Sequence, residues 1–195
     1  MIAGIDEVGR GCLAGAVVAA AVILDPDRPI AGLADSKTIT AVKREQLAAL
    51  IYQQALAWSI GRAEVSEIDQ MNILQASLLA MKRAYHALSI KPDWVKVDGI
   101  HYPPISCEGE TVVKGDQSVA EISAASIIAK VARDSEMAVL DRVSPGYEFS
   151  RHKAYPTRLH LQRLQEHGVS DFHRKSFAPV RNIFNQSCLM EVNDE

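Results

Sequence analysis

Cysteine is scarce. The three residues, Cys12, Cys107 and Cys188, lie far apart and never in CxxC spacing. That excludes a disulfide framework and a cysteine-built zinc site, and it fits a reducing compartment. Long apolar runs are missing too. The run Cys12 to Leu24 falls short of the about 20 residues that a spanning helix needs. Asp6 and Glu7 interrupt the N-terminus too early for a signal peptide. The expected location is the cytosol, with no membrane contact. No repeat, low-complexity segment or Pro/Gly/Ser linker divides the 195 residues, so one domain is expected. A chain of this length buries about 70% of its unfolded surface and needs no staple to fold.

Net charge is −3, an unpromising figure for a nucleic-acid binder. The average hides a segregation. Between Arg151 and Arg181 stand Arg151, Lys153, Arg158, Arg163, Arg174, Lys175 and Arg181, against only Glu166 and Asp171. Four histidines (His152, His160, His167, His173) share that stretch. A basic end can hold a polyanion through counterion release. Taken alone, it reads as a solvated helix face.

The apolar pattern predicts a strand over Met1 to Ile5 and a buried, valine-rich strand over Ala16 to Leu24. A helix follows Thr40, and a third strand covers Ala57 to Val65. Ser66 with Asp69 resembles a capping box, opening one helix through Ile68, Met71, Leu74, Leu78, Met81 and Tyr85. Short strands are expected at Trp94 to Val97 and at Thr111 to Val113. Ser118 with Glu121 predicts the cap of a long helix ending near Val143. Another helix starts at Pro156-Thr157 and stops near Gly168. The order implies an α/β layered domain with a mixed sheet. Residues 1–145 read as its core, 146–184 as a basic helical part, and 185–195 as a disordered tail.

Three strand ends carry acids: Asp6-Glu7, Asp98 and Asp116. Singly, each has a structural explanation, because aspartate ends strands and caps turns. Together they point elsewhere, since sites in layered α/β domains gather where strands end. Four converging carboxylates repel unless a cation neutralises them. Mg²⁺ and Mn²⁺ prefer oxygen ligands. Two such ions would balance four acids, clamp a phosphodiester and activate water. Alternation along a strand sends Asp6 and Glu7 to opposite faces. Both can serve if the strand ends between them, which Gly9 and Gly11 make reasonable, or if one of them ligates through its carbonyl or through water.

Gly9-Arg10-Gly11 lets backbone approach a ligand, with Arg10 available to a phosphate; it also reads as a tight turn. Asp35-Ser36-Lys37 could hold a phosphate through Ser36 and Lys37, or cap a helix. Tyr155 could stack on a sugar or base, though a partly buried tyrosine is the simpler reading. Asp134 competes with Asp116 as fourth acid, but Lys130 and Arg133 offer it a surface ion pair.

The ordered set is specific. Gly4-Ile5-Asp6-Glu7-Val8-Gly9-Arg10-Gly11 is followed by Asp35-Ser36-Lys37, Val97-Asp98-Gly99 and Val113-Lys114-Gly115-Asp116. Then come Ser123 to Asp134, His152 to Thr157, and His173 to Phe177. The set closely resembles bacterial ribonuclease HII, from the first residues to about Pro179. The resemblance implies an RNase H-like fold with a C-terminal helical extension that helps grip a duplex. It implies endonucleolytic cleavage of RNA in RNA–DNA hybrids and at single ribonucleotides in DNA, leaving 3′-hydroxyl and 5′-phosphate ends. By motif match, Asp6, Glu7, Asp98 and Asp116 are similar to the metal-site acids. Gly9, Arg10 and Gly11 look like the loop that senses the 2′-hydroxyl, and Tyr155 like the tyrosine beside the following deoxyribose. Two departures stand out: Cys12 sits where proline is common, and only five residues precede Asp6. The expected assembly is a monomer.

Two other classes remain open on the residues alone. A sugar-kinase-like ATPase also begins with an apolar strand, Gly-Ile-Asp and a glycine loop. A non-catalytic nucleic-acid-binding module would use the basic stretch but not the four acids.

Overall fold

The computed structural model describes residues 1–33 and 36–191, with side chains to 185. Asp35 therefore lies outside the described residues. Five strands form one mixed sheet: β1 Ile2–Val8, β2 Val17–Ile23, β3 Ala57–Ala63, β4 Trp94–Asp98 and β5 Gly109–Val112. Their spatial order is β3-β2-β1-β4-β5. β2 runs antiparallel to both β1 and β3, while β4 runs parallel to β1 and β5. The central β1 pairs Ile5 with Val97. Asp6 and Asp98 are the next residues along these two parallel strands.

β2 is apolar throughout and buried at every position, as a strand covered on both faces must be. On one face, Ala3, Ile5, Val17, Ala19 and Ala21 meet Ala76, Ala80, Met81 and Ala84 of α3 (Ile73–Ala87). On the other, Ala20 and Val22 meet α1 (Ala41–Gln54) and α5 (Ala120–Val143) through Leu47, Ile51, Ala124, Ile127 and Ile128. Small residues set the spacing. A Cβ on Gly4 would stand 2.1 Å from the backbone carbon of Glu121, so only glycine lets α5 lie on β1 at this depth.

A third apolar cluster joins the N-terminal loop to the C-terminal part. Cys12, Leu13 and Ala14 pack with Met137, Tyr147, Phe149, Ala154, Leu164 and Val180. This part contains α6 (Phe149–His152), α7 (Arg158–His167) and α8 (Ala178–Glu191). α8 runs beyond residue 185, where the sequence suggested that a tail begins.

Some signals act as read. Thr40 caps α1 by accepting from the Lys43 amide, and Thr157 caps α7 by accepting from the His160 amide. Others do not. The helix expected from Ser66 is two helices, α2 (Val65–Met71) and α3, broken at Asn72 with φ 74°. Its capping box is Glu64 with Glu67. Asp69 is free of capping duty and accepts from the amides of Lys175 and Ser176, each at 3.0 Å. Ser118 does not cap α5. It ends the short α4 (Gly115–Ser118), and its hydroxyl turns back to the Lys114 carbonyl.

Candidate active site

β1 does not end between Asp6 and Glu7, as the glycines had suggested; it continues to Val8. Alternation therefore holds, and the two carboxylates leave opposite faces of the sheet. Asp6 faces α5, is 5% exposed, and is bonded by the Ser126 hydroxyl. Glu7 faces α3, in a cleft of about 140 Å³ shared with Arg10, Leu74, Ser77, Met81, Asp98 and His101. Asp98, at the end of β4, stands within electrostatic reach of both.

Burial pushes the Asp6 carboxyl well above the usual carboxylate range, and the charges of Glu7 and Asp98 push it further. Burial also raises Glu7, against the pull of Arg10. Arg10 reaches Glu7 at 3.4 Å. Asp116 lies at the start of α4 and is 5% exposed. The neighbouring Gly115 amide donates to Asp98 Oδ1 at 2.7 Å, which ties that turn to β4. Lys37 Nζ stands 3.8 Å from Asp116 Oδ2.

The acids are thus neighbours, but more loosely grouped than the sequence suggested. Among the described residues, no three His, Cys, Asp or Glu side chains form a closed metal-holding group. The physical reason is that buried like charges repel and that β1 sends two of them to different faces. The donor set is nonetheless all oxygen, which suits Mg²⁺ or Mn²⁺. Mg²⁺ in particular takes few carboxylates and keeps ligand positions for water and phosphate.

Gly9 has φ 96°, and a Cβ there would meet Arg133 Nε at 2.2 Å. Gly11 is uncrowded. Ser36 is 3% exposed, and its hydroxyl meets Ser126 at 2.9 Å. It is too buried for the phosphate contact read from the sequence, and instead backs the serine that bonds Asp6. Lys37 remains exposed beside Asp116. Tyr155 is 38% exposed. Its hydroxyl is in electrostatic reach of Cys12, Arg133, Lys37 and Asp134, which places it on the same side as Lys37. Asp134 pairs with Lys130 at 2.5 Å and Arg44 at 3.7 Å, so it is a structural acid.

Two residues that the sequence reads as surface charges, Arg133 and Arg174, are buried and hold this region together. Arg133 is fully buried and donates to the carbonyls of Ala14, Ala16 and Lys153. Arg174, also fully buried, donates to the carbonyls of Gly15 and Arg10. It belongs to the basic stretch of the sequence, but burial removes it from any phosphate. Arg163 is likewise engaged, by Glu148 and Glu166. The only sequence cue to Arg133 was a charged residue within the small, apolar face of α5.

Residues 3–180 match the family model described as Ribonuclease HII. The chain belongs to the ribonuclease HII family. A ribonuclease HII of Methylococcus capsulatus is 61% identical over 187 residues, 96% of this chain and 97% of that protein. One of Nitrosococcus oceani is 61% identical over 182 residues, 93% of this chain and 90% of that protein. Among solved structures, the ribonuclease H2 of Pyrococcus horikoshii superposes with a TM-score of 0.77 at 25% identity, covering 95% of this chain and 97% of that one. The fold is therefore RNase H-like, with a mixed sheet flanked by helices. Membership of the ribonuclease HII family makes the chain an endoribonuclease acting on the RNA of RNA–DNA hybrids. The kinase-like and purely binding alternatives fall away. Among the described residues, no helix is long and apolar enough to cross a membrane.

Proposed function

We propose that Asp6, Glu7, Asp98 and Asp116 hold two divalent cations, Mg²⁺ or Mn²⁺, against the scissile phosphate of an RNA–DNA hybrid or of a single ribonucleotide in DNA. The observation that carries this is the buried Asp6 carboxyl, raised by burial and by Glu7 and Asp98. Such a cluster is unfavourable on its own and becomes favourable with a cation. Bound ions would supply Lewis-acid charge and a more acidic water.

The chain's own residues supply the rest. Ser126 holds Asp6, and Arg10 holds Glu7. Lys37 offers a positive charge at the rim of Asp116. In the hydrolysis, a water oxygen bonds phosphorus while the bond to the 3′-oxygen breaks. The departing 3′-oxygen takes a proton, leaving a 3′-hydroxyl and a 5′-phosphate. Backbone groups of Gly9-Arg10-Gly11 read the 2′-hydroxyl, the group that distinguishes RNA from DNA. The Tyr155 ring packs beside the deoxyribose that follows. Affinity comes from phosphates and selectivity from that one hydroxyl. The protein acts as a monomer.

The test separates cleavage from binding. Arg10→Ala and Tyr155→Ala should reduce cleavage at a lone ribonucleotide more than they reduce duplex affinity. Equal losses in both would overturn these roles.

A further inference from the structure

Behind Tyr155, three histidines are buried together. His160 and His173 are fully buried and His152 is 7% exposed. The rings of His152 and His160 stack at 4.2 Å. Every ring nitrogen is engaged, and the partners fix where each hydrogen sits. A carbonyl only accepts. His152 Nε2, 2.8 Å from the Tyr147 carbonyl, therefore carries hydrogen, and its Nδ1 accepts from the Ala154 amide at 3.1 Å. His160 Nδ1, 3.0 Å from the Tyr155 carbonyl, carries hydrogen as well. An amide only donates, so His173 Nδ1, 3.2 Å from the Ser170 amide, is a lone pair. The Ser170 hydroxyl joins the same nitrogen at 2.7 Å. The hydrogen of neutral His173 is then on Nε2, aimed at His160 Nε2 across 3.1 Å.

Donation runs one way: Ser170 to His173, His173 to His160, His160 to the Tyr155 carbonyl. An extra proton on His160 would set two N–H groups against each other. Burial opposes it as well, lowering His160 to about 4 and His173 to about 3.

The turn that this chain of bonds reaches is strained. Lys153 and Ala154, just before Tyr155, have φ 50° and 64°. Left-handed backbone at consecutive residues other than glycine is unfavourable and persists only when surroundings over-determine it. Here they do. The Lys153 carbonyl accepts from Arg133 at 3.0 Å, and the Ala154 carbonyl accepts from the Leu13 amide at 2.8 Å. His152 and His160 hold the other side.

We propose that His160 and His173 are positioning residues for Tyr155: a one-way imidazole relay that fixes the strained turn presenting this ring to the RNA-to-DNA junction. The proposal rests on the role given to Tyr155 above.

Two readouts on the full chain test it. Nitrogen-15 NMR of the imidazoles near neutral pH should show Nδ1–H at His160 and Nε2–H at His152 and His173. The opposite tautomer, or an imidazolium, at His160 overturns the relay. The second readout is the ratio of cleavage at a lone ribonucleotide to cleavage in a continuous hybrid, with Tyr155→Ala as reference. His160→Gln puts an amide at the Nε2 place and should lower the ratio by about tenfold, the scale of one lost buried hydrogen bond. His160→Asn puts an N–H at the Nδ1 place and should retain most of the ratio. Added to Tyr155→Ala, His160→Gln should cause no further loss. If the His160 variants fail to fold, His173→Leu, which strips the donor from His160, should lower the ratio severalfold. An unchanged ratio in His160→Gln or His173→Leu, with Tyr155→Ala lowered, overturns the positioning role. An unchanged ratio in Tyr155→Ala instead overturns the reading of Tyr155, whatever the tautomers.

Discussion

The Gly115 amide donates to Asp98 Oδ1 at 2.7 Å. One carboxylate oxygen thus fastens the end of β4 to the turn that carries Asp116, leaving the other oxygen for a ligand. Asp98→Asn keeps an oxygen for Gly115 and removes the charge. It should fold as the parent does and lose about a thousandfold or more in turnover, a loss of several kcal/mol of transition-state stabilisation. Asp98→Ala should lose turnover equally and also melt lower, because the tie is gone. Kinetics and thermal melts of the two variants check this.

Asp6 gives a prediction of opposite sign for stability. Burial and two neighbouring acids raise its carboxyl in the folded chain, so the folded state holds that proton more strongly than the unfolded state. The resulting stability is present in acid and lost as pH climbs through the raised value. Asp6→Asn carries no charge. Without metal it should melt above the parent at neutral pH, and the gain should shrink in acid. Added Mn²⁺ should stabilise the parent and do little for the variant. A variant that melts lower without metal and still responds fully to Mn²⁺ contradicts the assignment.

The buried histidines set the acid limit. Burial depresses His160 to about 4 and His173 to about 3, so the unfolded chain binds more protons below the ordinary histidine value. Their contribution is full at neutral pH and is lost as pH falls from about 6.5 towards 4. Each should cost about 2 kcal/mol between pH 7 and pH 5. His173→Gln should therefore show a shallower decline over this interval than the parent, read from urea midpoints.

Gly4 lies where α5 crosses β1. A methyl group there meets the Glu121 backbone at 2.1 Å, and backbone cannot rotate aside. Gly4→Ala should cost about 3 kcal/mol or more and should also lower turnover, because α5 carries the Ser126 that bonds Asp6. A urea titration and a cleavage assay on the variant check both effects.

The parts legible in sequence are those with local causes. Thr40 and Thr157 are caps with an amide in reach, and the buried β2 is plain in Val17 to Ile23. Asp98 and Asp116 stand out as acids just past apolar runs. The helix break at Asn72 is hidden because the apolar spacing continues across it. The false cap at Ser118 matches a real pattern that α4 uses differently. The divergence of Asp6 and Glu7 follows from β1 running on to Val8; Gly9 marks that end, two residues later than a break between the two acids requires. Arg133, Arg174 and the histidine relay were illegible because their partners are carbonyls and rings far along the chain. A charge reading counts Arg174 as surface, whereas the fold spends it on the carbonyls of Arg10 and Gly15.

The most direct measurement is the chemistry of the cut. A DNA duplex with a single ribonucleotide is incubated with the protein and Mg²⁺ or Mn²⁺, and the new ends are identified. The carboxylate site predicts 3′-hydroxyl and 5′-phosphate ends, full loss of cleavage with chelator, and recovery when metal is restored. Cleavage that survives the chelator, or ends bearing a 2′,3′-cyclic phosphate, would contradict it.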